Sequence, residues 1–174
     1  MHCKSKVKKI CIISDSFVPN PISSSGMIYN LAVNFESNDI DVLCIHSGDD
    51  PRSFKNKISK KFSNYNINNM DFITTSLLLS FRKKSHYHRF IFEIIISITL
   101  SIKCMLNYKK WRDIDLIIWY GPSSFLWIIV FSIKLFKKVP SYYILRDIFP
   151  DWLKNLKVVK SNLLLLFLEI FSYP

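Results

Sequence analysis

The sequence predicts an α/β domain, a parallel sheet with helices on both faces, and three observations predict it. Apolar runs of strand length alternate with longer segments of helical period. The short runs are apolar throughout rather than at every second residue, as strands buried on both faces are. Strand and helix then alternate along the chain, the pattern of right-handed β-α-β crossovers. A chain of 174 residues is long enough for one domain with a real core and too short for two ordinary ones.

Each element has its own signal. "KKICIIS" (8–14) is a continuous apolar run and the first strand. The loop "DSFVPNPISSSG" follows, and from Gly26 the segment "GMIYNLAVNFES" places Ile28, Leu31, Ala32 and Phe35 on one helical face. Ser23, Ser24 or Ser25 is suited to cap that helix. "IDVLCIHS" (40–47) is the second strand, 49–69 a polar, basic, Asn-rich surface excursion, and "MDFITTS" (70–76) the third strand. Residues 88–109 make a long helix, apolar from Ile91 to Ile102. "DIDLIIWY" (113–120) is the fourth strand, 123–136 an apolar helix, "KKVP" a connection and "SYYILRD" (141–147) the fifth strand. A further helix begins over 161–172.

Composition excludes disorder, because 49% of residues are apolar, 15% aromatic and only 21% charged. Ala32 is the sole alanine while Ile, Lys, Asn and Ser abound, the bias of an A+T-rich coding sequence. The net charge of +11 asks for a partner. Basic residues are densest over 4–9, 52–61, 82–89 and 134–138. Nucleic-acid binding would want interleaved aromatics on an exposed sheet or a DNA-binding motif, and neither is present. Basic residues beside very apolar segments suit an anionic membrane surface better, with plain solvation of the charges as the alternative.

Cys3, Cys11, Cys44 and Cys104 show no CxxC pairing and no His at metal spacing, which fits a reducing cytosol rather than a disulfide framework. The apolar run of 10–13 is too short for a signal peptide. Residues 90–106 are interrupted by Glu93 and Lys103, and 116–133 are broken by "YGPSS". A spanning helix needs about 20 unbroken apolar residues, so both read as globular elements.

In a parallel sheet of this kind, ligands bind beyond the carboxyl ends of the strands. Three loops meet there: 15–25, 121–124 and 146–154. With Gly26, Gly48 and Gly121 as the only glycines, neither a Walker loop nor a GxGxxG fingerprint can be built. Ser24, Ser25 and Gly26 at a helix start form either an anion site or a capped helix with nothing bound. Arg146 and Asp147 form either a local ion pair or part of a cleft lip. Asp113 and Asp115 precede their strand, at the far edge, and read as solvated; His46 reads as a satisfied structural histidine; His86 and His88 read as surface. Local spacing yields no Ser-His-Asp, Cys-His or paired-carboxylate arrangement.

The stretch "KKICIISDSFVPNPISSSGMIYNLAVNFESNDIDVLCIHS" resembles the start of the family 4 retaining glycosyltransferases of the GT-B fold. "DIDLIIWYGPSSFLWIIVFSIKLFKKVPSYYILRDIFPDWLKNLKVV" resembles the later part of the same N-terminal, Rossmann-like domain, closest to bacterial surface-polysaccharide enzymes of the fucosaminyltransferase-like group. Four features in order carry it: the first-strand loop, a D-x-D strand followed by x-x-P, K-x-x-P, and R-D-x-x-P-D in "LRDIFPDW". One glycine, Gly26, stands where relatives often have a pair.

The resemblance implies transfer of a sugar from a nucleotide sugar to a lipid-diphosphate-linked glycan, an O-antigen or capsule precursor, at the inner face of the bacterial cytoplasmic membrane, with no metal or other cofactor and no nucleic-acid partner. It implies that Ser25 and Gly26 lie near the donor diphosphate, that Arg146 and Asp147 project toward the reacting sugar, and that Arg82, Lys83, Lys84 and Arg89 dock on the membrane that carries the acceptor, with Ser24, Gly121, Pro122, Ser123 and Asp151 as further substrate-binding candidates on the same loops. In the family a C-terminal domain holds the donor. Residues 1–174 correspond to the acceptor-side domain alone, so the resemblance implies no activity without that second domain, which a separate subunit is one way to supply. A truncated remnant and a nonenzymatic membrane-surface module remain as alternatives. The apolar stripe of 163–167 is expected to want a partner, a membrane or more protein.

Overall fold

The computed structural model describes residues 7–20, 23–54, 67, 69–75, 86–121 and 124–145. Among these residues five strands form one sheet: β1 (Lys9–Ser14), β2 (Asp41–Ser47), β3 (Asp71–Thr75), β4 (Leu116–Tyr120) and β5 (Ser141–Ile144). Their order is β3-β2-β1-β4-β5, and every neighbouring pair is parallel. The α/β architecture expected from the apolar runs is therefore the one observed. The α-helices among the described residues are α1 (Ser23–Glu36), α2 (His86–Leu106), the short α3 (Tyr108–Trp111) and α4 (Trp127–Phe136).

Both sheet faces are buried, which is why the strands show no polar alternation. On one face Ile10, Ile12, Val42, Cys44, Phe72 and Ile118 meet Ile28 and Ala32 of α1. On the other, Cys11, Ile13, Leu43, Ile45, Ile117 and Trp119 meet α2 and α4. Ala32, the sole alanine, is fully buried on the first of these faces, where α1 comes close to the sheet. On α2 the inward residues are Phe92, Ile96, Leu100 and Cys104, one every four positions, while Ile91, Ile95, Ile98 and Ile102 point to solvent.

The element ends shift in ways that chemistry explains. The long helix stops at Leu106 and restarts as α3, so that Trp111 folds back, its indole N–H donating to the Cys104 carbonyl at 2.7 Å. That bond satisfies an acceptor at a helix end, where the last carbonyls have no intrahelical partner. Strand β4 begins at Leu116 rather than Asp113, because the Asp115 carboxylate accepts from the backbone N–H of Lys8 at 2.7 Å and of Lys9 at 3.1 Å. Asp115 thus clamps the start of β1, where the sequence suggested a merely solvated side chain; those hydrogen bonds hold its carboxyl below the usual range. Asp113 is exposed and pairs with Arg112. Strand β3 is an edge, and Lys103 and Lys110 donate to its Thr74 and Phe72 carbonyls, both at 2.8 Å, which blunts an otherwise open ladder. The excursion expected over 49–69 is not all surface, since Ile67 beside β3 is 2% exposed.

Among the described residues no helix is long and apolar enough to cross a membrane. Cys11, Cys44 and Cys104 are free and buried. Burial pushes the Cys104 thiol up to about 12 and raises Cys11 and Cys44 as well, so all three behave as small hydrophobes.

Candidate functional site

Strand order changes direction between β1 and β4, and the loops that follow these two strands leave from the same edge. This is the switch point at which parallel α/β sheets open a crevice. Register sets Ser14 of β1 beside His46 of β2, and His46 beside Thr74 of β3, so polar residues stand where the apolar strands end.

The loop after β1 is knitted by hydroxyls. Ser14 Oγ donates to the Ser16 carbonyl at 2.7 Å, Ser16 Oγ to Asp15 Oδ1 at 3.2 Å, and Ser25 Oγ to Ser16 Oγ at 3.1 Å. Ser47 Oγ, from the end of β2, donates to the Asp15 carbonyl. Ser14, Ser16 and Ser25 are all buried. Buried hydroxyls joined in a chain hold a loop firmly, since breaking one leaves a desolvated group without its partner.

The helix opens three residues earlier than its periodicity suggests, at Ser23 instead of Gly26, so the serines form its first turn rather than a cap before it. The first-turn N–H groups have no intrahelical partner and the dipole is positive there, so this end suits an anion. Ser24 is buried, and Ser25 uses its hydroxyl on Ser16, anchoring the helix start to the β1 loop. Gly26 differs: among the described residues a Cβ placed there would meet nothing within 4 Å, which leaves space for an approaching group.

His46 is 2% exposed and lies stacked on Phe17, ring centroids 5.3 Å apart, with Phe72 edge-on at 6.0 Å. Its Nδ1 is 3.1 Å from the Ser47 carbonyl, while Nε2 is buried without a partner among the described residues. It is thus only half the satisfied structural histidine expected. Burial lowers its pKa to about 4, the Ser47 carbonyl and nearby Asp50 opposing only in part, so the ring is neutral at pH 7. Gly48 turns the chain after it at φ +125, a backbone that L side chains rarely adopt, and its N–H donates to the Thr75 carbonyl at 2.8 Å. Beyond it Asp50 and Arg52 form a two-pronged ion pair, 2.6 Å at its shortest, with the guanidinium carbon 5.2 Å from the centre of the Phe72 ring.

Gly121 closes β4 on the other side of the crevice. Its N–H donates to the Ile144 carbonyl at 3.2 Å. A Cβ at Gly121 would run into the phenol of Tyr143, with Cζ at 3.0 Å, and that ring is held stacked on Trp119 at 3.9 Å. The glycine is needed because an aromatic crosses over it.

Of the residues singled out in the sequence, Ser24, Ser25 and Gly26 come together after β1 and Gly121 lies at the end of the neighbouring β4. Arg89 lies in the first turn of α2. Pro122, Ser123, Arg146, Asp147, Asp151, Arg82, Lys83 and Lys84, and the helix expected over 161–172, lie outside the described residues. Sequence reasoning missed Ser16, Ser47 and Tyr143. What brings them into the site is contact with residues nine or more positions away, Ser16 with Ser25, Ser47 with Asp15 and Tyr143 with Gly121, for which local spacing carries no signal.

No family model and no curated protein matches the chain. Among solved structures, the fold is similar to the C-terminal domain of a hydrogenase from Pyrococcus furiosus in two crystal structures. In one the TM-score is 0.52 at 16% identity, covering 80% of this chain and 91% of that domain. In the other the TM-score is 0.51 at 16% identity, covering 79% and 91%. At that identity the likeness is one of fold.

Proposed function

We propose that this chain is the acceptor-side domain of a retaining glycosyltransferase of the GT-B architecture, which passes a sugar from a nucleotide sugar to a lipid-linked polysaccharide precursor. The reading rests on the resemblance carried by the β1 loop and by "LRDIFPDW", and one structural observation supports it most. At the switch point, a loop pinned by the Ser16–Ser25 hydrogen bond presents the first turn of α1 with open space over Gly26. A helix start with a bare glycine lets a diphosphate come close to backbone N–H groups, and a rigid loop holds them in place.

The roles follow from that placement. The backbone of the first turn would receive negative charge that develops on the departing nucleotide diphosphate. Ser25 would act through the loop, since its hydroxyl is engaged with Ser16. Arg146 and Asp147 would face the reacting sugar, the first pairing with charge and the second accepting or orienting a hydroxyl. Donor binding requires a second domain across the cleft, on the same chain or on a separate subunit. The acceptor is a lipid-diphosphate-linked glycan, which sets the reaction at the inner face of the bacterial membrane.

The test is transfer of radiolabel from a panel of nucleotide sugars to a lipid-linked acceptor, in membranes that hold the chain together with a donor-binding domain. Label in the lipid fraction that is lost in Asp147→Ala supports the reading. No transfer across the panel, or transfer indifferent to Asp147→Ala, overturns it and favours a binding module without catalysis.

A further inference from the structure

Helices α2 and α4 pack side by side on one face of the sheet, and each leaves an apolar stripe outside the core. On α2 the stripe is Ile91, Ile95, Ile98 and Ile102, at spacings of four, three and four, continued by Leu106, which is 80% exposed. On α4 it is Phe131 and Leu135, one turn apart, ending in Phe136 at 70% exposure. A helix of 21 residues is about 30 Å long, so this is a continuous surface rather than a scatter of single side chains. Isolated exposed apolar residues need no explanation; a two-helix layer of them does.

Charge identifies the occupant. Residues 86–145 carry eight Lys and Arg (89, 103, 109, 110, 112, 134, 137 and 138) against three acids, Glu93, Asp113 and Asp115. Helices α2 and α4 both run back from the crevice edge and pack on each other, and the Lys137 ammonium at the end of α4 donates at 2.7 Å to the carbonyl of Arg112, which caps the short α3 that follows α2. There Lys109, Lys134 and Lys138 are exposed among Leu106, Tyr108, Leu135 and Phe136. Aliphatic side chains flanked by Tyr, Phe and Lys match the layers of a bilayer interface. Two copies meeting on this face would instead bring two such lysine groups together.

We propose that the outer face of α2 and α4 docks on a bilayer rich in anionic lipid. The contact lies on the helical layer itself, apart from the basic run at 82–84, and it stands whether or not the chain transfers sugar. Apolar side chains enter the acyl boundary and the lysines meet the headgroups, so attachment needs both and weakens with salt.

The experiment is co-sedimentation of the full chain with phosphatidylcholine vesicles, with and without phosphatidylglycerol, at low and high salt. Binding is expected only with phosphatidylglycerol. It should fall about tenfold or more in Ile102→Asp/Phe131→Asp and again in Lys134→Glu/Lys138→Glu, because attachment needs both the apolar and the basic contacts. All four positions are exposed, and unchanged circular dichroism and thermal midpoint will verify folding. Absence of vesicle binding by the wild type, or binding unmoved by both variants, overturns the proposal. So does concentration-dependent dimerisation abolished by Ile102→Asp/Phe131→Asp, which would assign the face to a second copy. Sugar transfer is not read, so failure here leaves the catalytic reading standing and the reverse also holds.

Discussion

The Ser25 hydroxyl donates to the Ser16 hydroxyl across 3.1 Å, with both residues buried, and so fastens the first turn of α1 to the loop that leaves β1. The bond joins residues nine positions apart in sequence. Ser25→Ala should destabilise the fold by about 1 kcal/mol, the usual net worth of a buried neutral hydrogen bond. Urea unfolding measures it, and a shift in midpoint at constant slope is the expected form.

The two crevice glycines should respond in opposite directions. Gly121→Ala drives a methyl group into the Tyr143 ring, which Trp119 holds from behind, and should destabilise by about 1–3 kcal/mol. Gly26→Ala meets no neighbour and sits in a helix, so it should be neutral or stabilise by about 0.5–1 kcal/mol. Thermal midpoints of the two variants make the comparison directly.

His46 makes stability depend on pH. Its folded pKa, about 4, lies below the ordinary imidazole value of 6.5, so below pH 6.5 the unfolded chain takes up a proton that the folded chain refuses. The contribution is complete above pH 6.5 and is lost as pH falls toward 4. By pH 5 the loss should be about 2 kcal/mol, from 1.36 kcal/mol per unit. His46→Phe, which can still stack on Phe17, should flatten the urea midpoint between pH 7 and pH 5; an equal slope in that variant would remove His46 from the account.

Trp111 is 1% exposed and ties α3 to both α2 and α4, through Cys104 and the Phe136 ring at 6.3 Å. Trp111→Ala should lower stability by about 3–5 kcal/mol, the range for truncating a buried large aromatic. Calorimetry will read the loss.

Much of the fold is legible in the sequence because burial on both faces writes itself as unbroken apolar runs. "KKICIIS" contains β1 to within one residue, while β4 keeps only "LIIWY" of "DIDLIIWY". The boundaries that moved did so for tertiary reasons: Asp115 reaches back to the N–H groups of β1, and the indole of Trp111 reaches back to α2. The site was legible only in part. A helix start rich in serine is visible in "SSSG", but that Ser25 is committed to Ser16 depends on how the loop folds. His46 was visible as a polar residue at a strand end. That it would be sealed between Phe17 and Phe72 follows from packing, which spacing does not encode. In the sequence the outward isoleucines of α2 belong to one apolar segment, and only the packing of the helix tells its inner face from its outer one.

The most direct test of sugar transfer at this crevice is one variant measured twice, Gly26→Ala, for thermal stability and for transfer of labelled sugar to lipid-linked acceptor with the donor-binding domain present. The expected result is a protein at least as stable as the wild type whose transfer falls by about tenfold or more, because the new methyl group blocks close approach of a phosphate to the helix start. Full transfer by the stable variant would contradict the assignment of α1's first turn to the donor diphosphate.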